Sequence, residues 1–516
     1  MSLISVPFFI FFSVVLVVYY LLPGKMQWAW LFLSSLVFYY KSSTWQQMCL
    51  FLLYILINWL AALLMDRFDA RKKTIYTTAL ITDLLLLSLF KYCAFFCQII
   101  TGAIRLFSNS FDSNTFDPLV AFTEQHAPIR ISYFALIIIG YLTDVYWGKN
   151  EAQKNPCKVI LFAGFFPQMT SGPITQYEQM QNELWGERHS FRYETVVRGL
   201  ERVLWGIFKK LVISERCAVI VNAVYTYYEA YAGLYIIVAA FLFALQLYAD
   251  FSGLMDIVLG FSQCLGIALP ENFDTPFYSA GLSEFWRRWH ITLGGFLRDY
   301  ILYPLERSKP WKKMRKFCKA KMGKGYENRC NLPLYAALVI SWFLIGLWHG
   351  GGWNYIFGVG LYMCIVIVLG ELLSPLFTKI TQLLKINTES FSWKLFQRCR
   401  TACLFVFGLS FFRAESLADG FKMWKSCFSL FNPWILFDGS LYGLGLTKDE
   451  WLILLLGLLL LILVSILQQR DSVREMLHRQ NYVFRLLVFI VLFVMIINWG
   501  YYGSDFVAAD FIYGRF

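Results

Sequence analysis

The sequence predicts an all-α, polytopic integral membrane protein. Of its 516 residues, 58% are hydrophobic and 19% are aromatic, and the mean hydropathy is +0.53. Apolar runs near or above the ~17–25 residues that cross a bilayer recur from end to end. Backbone groups in lipid must be hydrogen-bonded within their own segment, so runs of this length indicate helices. We expect about eleven to thirteen spans.

Basic residues fall in the short connections between these runs, which predicts their sidedness. Residues 66–73 carry four Lys or Arg, whereas residues 108–127 carry three acids and no Lys or Arg. Positive connections stay in the cytoplasm, so the first is internal, the second is external and the N-terminus is extracytoplasmic. Residues 468–480 hold three arginines, which places the C-terminal tail, residues 500–516, outside as well. The net charge of +12 is therefore topological, and we predict no nucleic-acid partner.

The densest basic segment is residues 306–329, with ten Lys or Arg against two acids. We interpret it as a cytoplasmic loop that either anchors the topology at the inner leaflet or contacts anionic lipid or an anionic donor. The chain has no internal repeat and no polar segment long enough for a soluble domain. Residues 1–516 are therefore predicted to form one membrane-embedded domain.

His349 is the first candidate functional residue. It lies at the end of the uninterrupted apolar part of the run Leu332–Trp353. Three glycines follow it directly, and they would break a helix at membrane depth. An ionisable residue in such a place is costly and is a candidate for a site that faces a cavity. The alternative is a core histidine that bonds a backbone carbonyl.

His290 is the second candidate. On a helix that starts after Ser283, with Glu284 and Arg288 as an i, i+4 pair, His290 shares a face with Trp286 and Arg287. The aromatic and basic side chains around it are also typical of an amphipathic helix at the membrane interface, where Trp lies at headgroup level and Arg extends to water.

Five stretches carry a family resemblance. They are FFPQMTSGPITQYEQM (165–180), NFDTPF…SEFWRRWHITLGGFLRDYILYPL (272–305), GLWHGGGW (346–353), FFRAESLADGF (411–421) and FIYGRF (511–516). In this order they resemble the membrane-bound O-acyltransferase family, most closely its AlgI-like bacterial branch and more distantly DltB. The resemblance implies broken or re-entrant helices around a central tunnel. It also implies transfer of a short acyl group, usually acetyl, from a cytoplasmic thioester to hydroxyls of an extracytoplasmic polymer.

The resemblance implies roles for single residues. His349 matches the catalytic histidine of the family, and His290 matches its second active-site position. Trp286 and Arg287 match positions that line the donor pocket, and Pro173 matches a structural or pocket-lining position.

The chain departs from the family pattern in two places. It has the long basic segment 306–329 where relatives have a short connection, and Arg130 where they have a glycine.

The chemistry fits these residues. Transfer from a thioester to an alcohol needs a base, and neutral imidazole, with an unperturbed pKa of ~6.5, is suited to take the hydroxyl proton. We predict that His349 is this base and that His290 orients the acceptor or stabilises the oxyanion. The sequence has no serine-nucleophile motif, phosphate loop or metal cluster, so no bound cofactor is expected. Acetyl-CoA or a carrier-protein thioester would be the donor substrate.

The terminal FIYGRF is either an aromatic belt at the outer interface or a substrate arm. Its pattern resembles a C-terminal acyl-acceptor motif of these bacterial enzymes. Fourteen residues separate Trp499 from Tyr513, up to ~45 Å when extended, whereas half a bilayer is about 15 Å. Tyr513 is therefore predicted to reach the histidines and to relay the acyl group.

The resemblance places the protein in the bacterial cytoplasmic membrane. Its partners would be membrane lipid, a polysaccharide acceptor and an external acyltransferase of the SGNH-hydrolase type. Two other interpretations stay open at this stage. A transporter or flippase would also have many spans and intramembrane histidines, and a scaffold would recruit an enzyme without chemistry of its own.

Overall fold

The computed structural model describes residues 1–108, 112–186, 188–323, 325, 327 and 330–502. These residues form two compact units. Unit 1 comprises Met1–Gly206 and Leu254–Pro270, and unit 2 comprises Ile207–Gly253 and the described residues from Glu271 onward. The single domain expected over residues 1–516 stays a prediction. The tail with Tyr513 lies outside the described residues.

The first ten helices belong to unit 1. They are α1 (Val6–Leu21), α2 (Gly24–Ser42), α3 (Trp45–Arg67), α4 (Lys72–Lys91), α5 (Cys93–Arg105), α6 (Asp117–His126), α7 (Ile131–Trp147), α8 (Pro156–Gly164), α9 (Phe166–Met169) and α10 (Tyr177–Trp185).

The remaining helices belong to unit 2, except that α11 and α13 contribute residues to both units. They are α11 (Tyr193–Phe208), α12 (Glu215–Thr226), α13 (Leu234–Cys264), α14 (Leu282–Arg288), α15 (Ile291–Leu297), α16 (Tyr303–Arg307), α17 (Lys309–Met322), α18 (Leu332–His349), α19 (Trp353–Tyr355), α20 (Tyr362–Leu372), α21 (Ser374–Leu383), α22 (Phe391–Arg413), α23 (Leu417–Ser429), α24 (Lys448–Gln468), α25 (Val473–His478) and α26 (Tyr482–Trp499).

Three π-helical segments interrupt the α-helices of unit 2. They are π1 (Lys209–Ser214), π2 (Arg298–Leu302) and π3 (Ile356–Leu361). Such segments are often found at functional sites. The part of the chain that the structure describes contains no strand, only one isolated β-bridge. The all-α fold class with broken helices is confirmed.

Eight of the described helices are long and apolar enough to cross a membrane, or nine if the pair 114–126 and 131–147, bent by 72°, counts as one span. The expected number, eleven to thirteen, is higher. The difference arises because α1 and α5 are apolar but shorter, and because breaks divide other apolar runs. In α26 only 11% of the apolar window is buried among the described residues, as expected of a helix whose surface suits a lipid environment. The chain is a multi-pass membrane protein.

The basic segment 306–329, predicted as a loop, is largely helical. Helix α17 covers Lys309–Met322, with Pro310 in its first turn, and it ends at Gly323, which has φ 83°. Lys, Arg, Met and Ala are strong helix formers, and Gly tolerates the left-handed φ that stops a helix. The loop prediction considered the charge of these residues and not their helix propensity. The cytoplasmic location of the segment stays a prediction.

Glycines let the backbones of unit 2 approach closely behind the end of α18. A Cβ atom at Gly346 would lie 2.6 Å from Cα of Ile356, and one at Gly358 would lie 2.6 Å from the carbonyl oxygen of Gly408. Small residues allow this close approach between membrane helices. The contacts fix α18 against π3, and π3 against α22.

Replacing Gly346 by alanine is expected to destabilise the protein, because the new methyl group would overlap backbone that cannot move aside. Overpacking of this kind typically costs about 1–3 kcal/mol. The thermal unfolding midpoint in detergent measures the effect. Gly370→Ala is the matched control, since a Cβ atom at Gly370 would have nothing within 4 Å. Equal midpoints for the two variants would contradict the close packing.

Candidate active site

The segment that carries His290 differs from its prediction. Helix α14 begins at Leu282, after Gly281, and the expected Glu284–Arg288 ion pair is confirmed at 2.7 Å. The helix ends at Arg288, however, and His290 has the left-handed φ of 49°. The prediction that His290 shares a helical face with Trp286 and Arg287 is therefore wrong.

A backbone pairing with an earlier segment causes this reversal. Phe273 and Trp289 form an isolated antiparallel bridge, and the amide of Ile291 donates to the carbonyl of Asn272 at 3.1 Å. The bridge needs extended backbone at Trp289, which ends the helix. His290 then directs the chain into α15.

Aromatic packing holds the bridge in place. Trp289 is 2% exposed, and its ring lies 5.6 Å from Phe285, 5.1 Å from Phe273 and 5.2 Å from Phe405 between ring centres. Offset and edge-to-face arrangements at such distances add to the stabilisation that burial provides. This aromatic packing therefore stabilises the backbone turn at His290.

Asn272 determines which nitrogen of His290 carries the proton. Its Oδ1 accepts hydrogen bonds from the amide of Thr292 at 3.0 Å and from the Thr292 hydroxyl at 2.9 Å, and it lies 3.3 Å from Nδ1 of His290. An amide N–H can only donate, so this atom is the oxygen, and the histidine must donate to it. In the neutral ring, Nδ1 then holds the proton and Nε2 holds a lone pair.

His290 is 5% exposed, and its burial lowers the pKa of the imidazole to about 3. Desolvation disfavours the charged form. His290 is therefore neutral throughout the physiological range. Nothing in the titration of His290 should limit activity between about pH 5 and 8, where free histidine changes charge.

Asn272→Asp should introduce an acid limb into the pH profile of activity. A carboxylate can accept the same hydrogen bonds, but its charge favours imidazolium and raises the pKa of His290. As pH falls, His290 would protonate and Nε2 would lose its lone pair, so activity would drop at a higher pH than in the wild type. Steady-state rates across pH measure this shift.

Asn387→Asp is the matched control for this variant. Asn387 is exposed, and its Oδ1 accepts from the amide of Glu389 at 3.0 Å, a role that aspartate keeps. The pH profile of activity of Asn387→Asp should match that of the wild type. Superimposable profiles for all three proteins would contradict the assigned contact between Asn272 and His290.

The helix that carries His349 ends where the sequence predicts. Helix α18 stops at His349, which is 3% exposed, and Gly350 follows in an extended conformation. A Cβ atom at Gly350 would lie 2.6 Å from the Tyr355 ring, so only glycine fits there. The Phe412 ring packs 5.6 Å from the His349 ring and 4.9 Å from that of Tyr355. His349 is thus enclosed by aromatic groups.

Trp348 brings the two histidines together. Its ring centre lies 5.7 Å from that of His290 and 5.0 Å from that of His349. Phe251 of α13 contacts His290 from another direction, at 4.8 Å. The structure therefore places both predicted site residues, each at most 5% exposed, beside one indole.

Sequence reasoning missed Trp348, Asn272 and Phe251. Two of them had a signal, because Trp348 directly precedes the histidine in WHG and Asn272 opens the NFDTPF motif. Phe251 lies in the uniformly apolar α13 and had none.

The predicted donor-pocket residues, Trp286 and Arg287, belong to α14, the helix that ends just before His290. The Trp286 ring packs 5.1 Å from Trp342 and 5.9 Å from Phe405. Its Nε1 is buried and has no hydrogen-bond partner among the described residues. Arg287 is exposed at the end of α14. A role in donor binding stays a prediction for both.

Comparisons with known proteins identify similar sequences. The profile of the membrane-bound O-acyltransferase family matches residues 149–318. A probable alginate O-acetylase AlgI of Pseudomonas syringae is 28% identical over 453 residues, 84% of this chain and 77% of that protein. The chain is therefore similar to membrane-bound O-acyltransferases, and it is an acyltransferase.

Two other relatives extend the range of similar proteins. A peptidoglycan O-acetyltransferase of Helicobacter pylori is 28% identical over 356 residues, 63% of this chain and 61% of that protein. A teichoic acid D-alanyltransferase of Bacillus subtilis is 25% identical over 261 residues, which are 48% of this chain and 62% of that protein. The family profile includes His290 but ends before His349, so the assignment of His349 depends on the local geometry and the WHG motif.

Two other residues singled out from the sequence, Pro173 and Arg130, belong to unit 1. The hydroxyl of Tyr133 donates to the carbonyl oxygen of Pro173. Arg130, where the family has glycine, keeps the left-handed φ of 64° that glycine adopts easily, and its guanidinium lies 3.5 Å from the Ser171 hydroxyl. Within the described ranges no group of three His, Cys, Asp or Glu could hold a metal ion.

Proposed function

We propose that this acyltransferase takes an acetyl group from acetyl-CoA at the cytoplasmic face and passes it through Tyr513 to an extracytoplasmic polysaccharide. The reaction would occur at the bacterial cytoplasmic membrane, with both termini of the protein outside, and an external SGNH-hydrolase-type partner would complete the transfer. The observation that supports the chemistry most directly is the pair of buried histidines, His290 and His349, whose rings both pack against that of Trp348.

The first transfer exchanges one acyl bond for another. His349 takes the phenol proton of Tyr513 while the phenol oxygen attacks the thioester carbonyl. A new C–O bond forms, the C–S bond breaks, and the proton passes to the departing thiolate of CoA. A phenol, with a pKa near 10, loses its proton more easily than a sugar alcohol. Its acetyl ester stays activated for transfer to a polymer hydroxyl, which regenerates the tyrosine.

His290 orients the acceptor in this scheme. Because Asn272 fixes the proton on Nδ1, Nε2 offers a lone pair and can accept the hydrogen bond of the tyrosine hydroxyl while the tail docks. For the transfer itself the hydroxyl turns, and its single proton passes to His349. Stabilisation of an oxyanion would need an N–H donor at that position. The tautomer therefore supports the first of the two roles predicted for His290.

The similar proteins support the proposed acyl group and acceptor class. Two of those compared are described as O-acetylating enzymes, one for alginate and one for peptidoglycan. Both acceptors are polysaccharide in nature, so we assign this chain acetyl transfer to a polysaccharide. The D-alanyltransferase similarity extends over less of the chain.

Oriented membrane vesicles test this function. Inside-out vesicles present the cytoplasmic face to the medium, so added radiolabelled acetyl-CoA should release free thiol and label the protein. Right-side-out vesicles should show neither reaction. Thiol release at the level of vesicles without the protein, in both orientations, would contradict a cytoplasmic thioester donor.

A further inference from the structure

A buried charged cluster surrounds π1 in unit 2. The ammonium of Lys210 lies 2.8 Å from Asp250 and 2.7 Å from Glu215, and that of Lys209 donates to the Ser252 hydroxyl at 2.9 Å. All five residues are less than 5% exposed. Removing one partner from a buried ion pair is strongly unfavourable, because it leaves the other charge uncompensated. The cluster therefore holds π1 firmly against α13.

The same part of α13 forms a wall of the active site. Asp250 and Ser252, which bind π1, directly flank Phe251, whose ring lies 4.8 Å from that of His290. Successive helical residues point in different directions, so α13 contacts π1 on one side and His290 on another. A group fixed to π1 is therefore fixed with respect to His290.

The last described residues of the chain are attached to this segment. The amide of Tyr501 donates to the carbonyl of Leu211 at 3.0 Å, and the Arg216 guanidinium donates to the carbonyl of Trp499. Arg216 also lies over the Tyr501 ring, 4.6 Å from its centre. The Tyr501 hydroxyl donates to the Glu450 carboxylate.

We propose that Arg216, Glu450 and Tyr501 form a tail clamp, a set of positioning residues that fixes the base of the C-terminal tail and so presents Tyr513 to His349. The proposal rests on the proposed function, in which Tyr513 accepts the acetyl group. Arg216 is 4% exposed, and a buried cation is tolerated where hydrogen bonds and an aromatic face compensate it. The Trp499 carbonyl and the Tyr501 ring provide much of that compensation.

The clamp sets the length of chain between its own anchor point and Tyr513. Twelve residues separate Tyr501 from Tyr513, which corresponds to at most ~40 Å of extended chain. A tethered acceptor reacts at an effective concentration that depends on tether length and on where the tether begins. With the clamp released, the tether would begin further back on α26, and the local concentration of Tyr513 at the site would fall.

Arg216→Gln tests the clamp, with Arg485→Gln as the matched control. Arg485 lies at the other end of α26 and also has an aromatic neighbour, 5.7 Å from the Tyr482 ring centre. Transfer from acetyl-CoA to Tyr513 of the same chain should slow by up to about twofold in Arg216→Gln, because effective concentration falls roughly as the −3/2 power of tether length. It should be unchanged in Arg485→Gln. Arg216→Lys should recover part of the loss.

A peptide of residues 503–516, supplied in solution, separates positioning from chemistry. The protein used for this assay carries Tyr513→Phe, so that its own tail cannot accept the acetyl group. Tyr513→Phe alone and Tyr513→Phe combined with Arg216→Gln should acetylate the added peptide at equal rates. Loss of peptide transfer along with attached-tail transfer would mean damage to the site and would overturn the clamp. Equal attached-tail rates in wild type and Arg216→Gln would also overturn it.

Hydrogen exchange distinguishes failure of the clamp from failure of the proposed function. Amides of residues 499–502 should exchange faster in Arg216→Gln than in the wild type, whether or not Tyr513 is an acceptor. If the wild type acetylates neither its tail nor the peptide, the relay is wrong, and exchange alone decides on the clamp. Unchanged exchange at residues 499–502 would contradict it.

Discussion

Replacing His349 by glutamine should lower acyl transfer by roughly 100- to 10,000-fold, the usual contribution of a general base. Glutamine keeps a polar side chain of similar length at the end of α18 but cannot take a proton at neutral pH. Thiol release from acetyl-CoA by the purified protein in lipid measures the change. Tm in detergent should stay near the wild-type value, since the glycines after His349 still end the helix.

His126→Gln provides the matched control. His126 belongs to unit 1, and its ring nitrogen contacts the backbone carbonyl of Phe122, four residues earlier in α6. Its replacement should leave the rate unchanged. A wild-type rate in His349→Gln would remove His349 from the mechanism, and with it the physical basis for transfer at this pair of histidines.

Tyr513→Phe should abolish acetylation of the external polymer. The variant keeps the aromatic ring, and so any anchoring at the membrane interface, but loses the hydroxyl that we propose as the acetyl acceptor. Thiol release should fall to the rate of transfer to water, and addition of the external partner should not restore polymer acetylation. Acetate released from the isolated polymer by mild base measures the product.

Tyr502→Phe is the appropriate comparison. Tyr502 is half exposed, and its hydroxyl donates to the backbone carbonyl of Ile497 near the end of α26. Loss of this hydroxyl should have little effect on polymer acetylation. If Tyr513→Phe matched Tyr502→Phe, the tail would be an aromatic anchor, the alternative that its composition also allows.

Local sequence signals predicted those parts of the site that depend on local structure. Three glycines after His349 predict the end of α18, because glycine destabilises a helix and tolerates close backbone contacts. The Glu284–Arg288 pair follows from the spacing of a helix, and the structure confirms it.

The conformation at His290 could not be derived in this way. Helical spacing predicts one face for Trp286 and His290, but a bridge to Phe273, sixteen residues before Trp289, ends the helix. Such a contact depends on tertiary packing of aromatic rings around Trp289, which sequence periodicity does not record. The same reason explains why Phe251 was missed. Its role depends on which face of α13 meets the turn.

Among the described residues, the count of long apolar helices is lower than the expected number of spans for a related reason. Apolar composition does not reveal the π-helical segments and tight breaks that divide runs of hydrophobic residues. Helix π3, for example, follows only three residues of α19. Conversely, the propensity of the basic residues for helix was given less weight than their charge, so α17 was expected to be a loop.

Mass spectrometry of the C-terminal peptide gives the most direct measurement of acyl relay. Wild-type protein in inside-out vesicles, exposed briefly to acetyl-CoA without external partner, should carry one acetyl group on Tyr513. The same peptide from His349→Gln should remain unmodified, and in the wild type the label should disappear when partner and polymer are added. A polymer that becomes acetylated while Tyr513 stays unmodified at every time point would contradict transfer through this tyrosine.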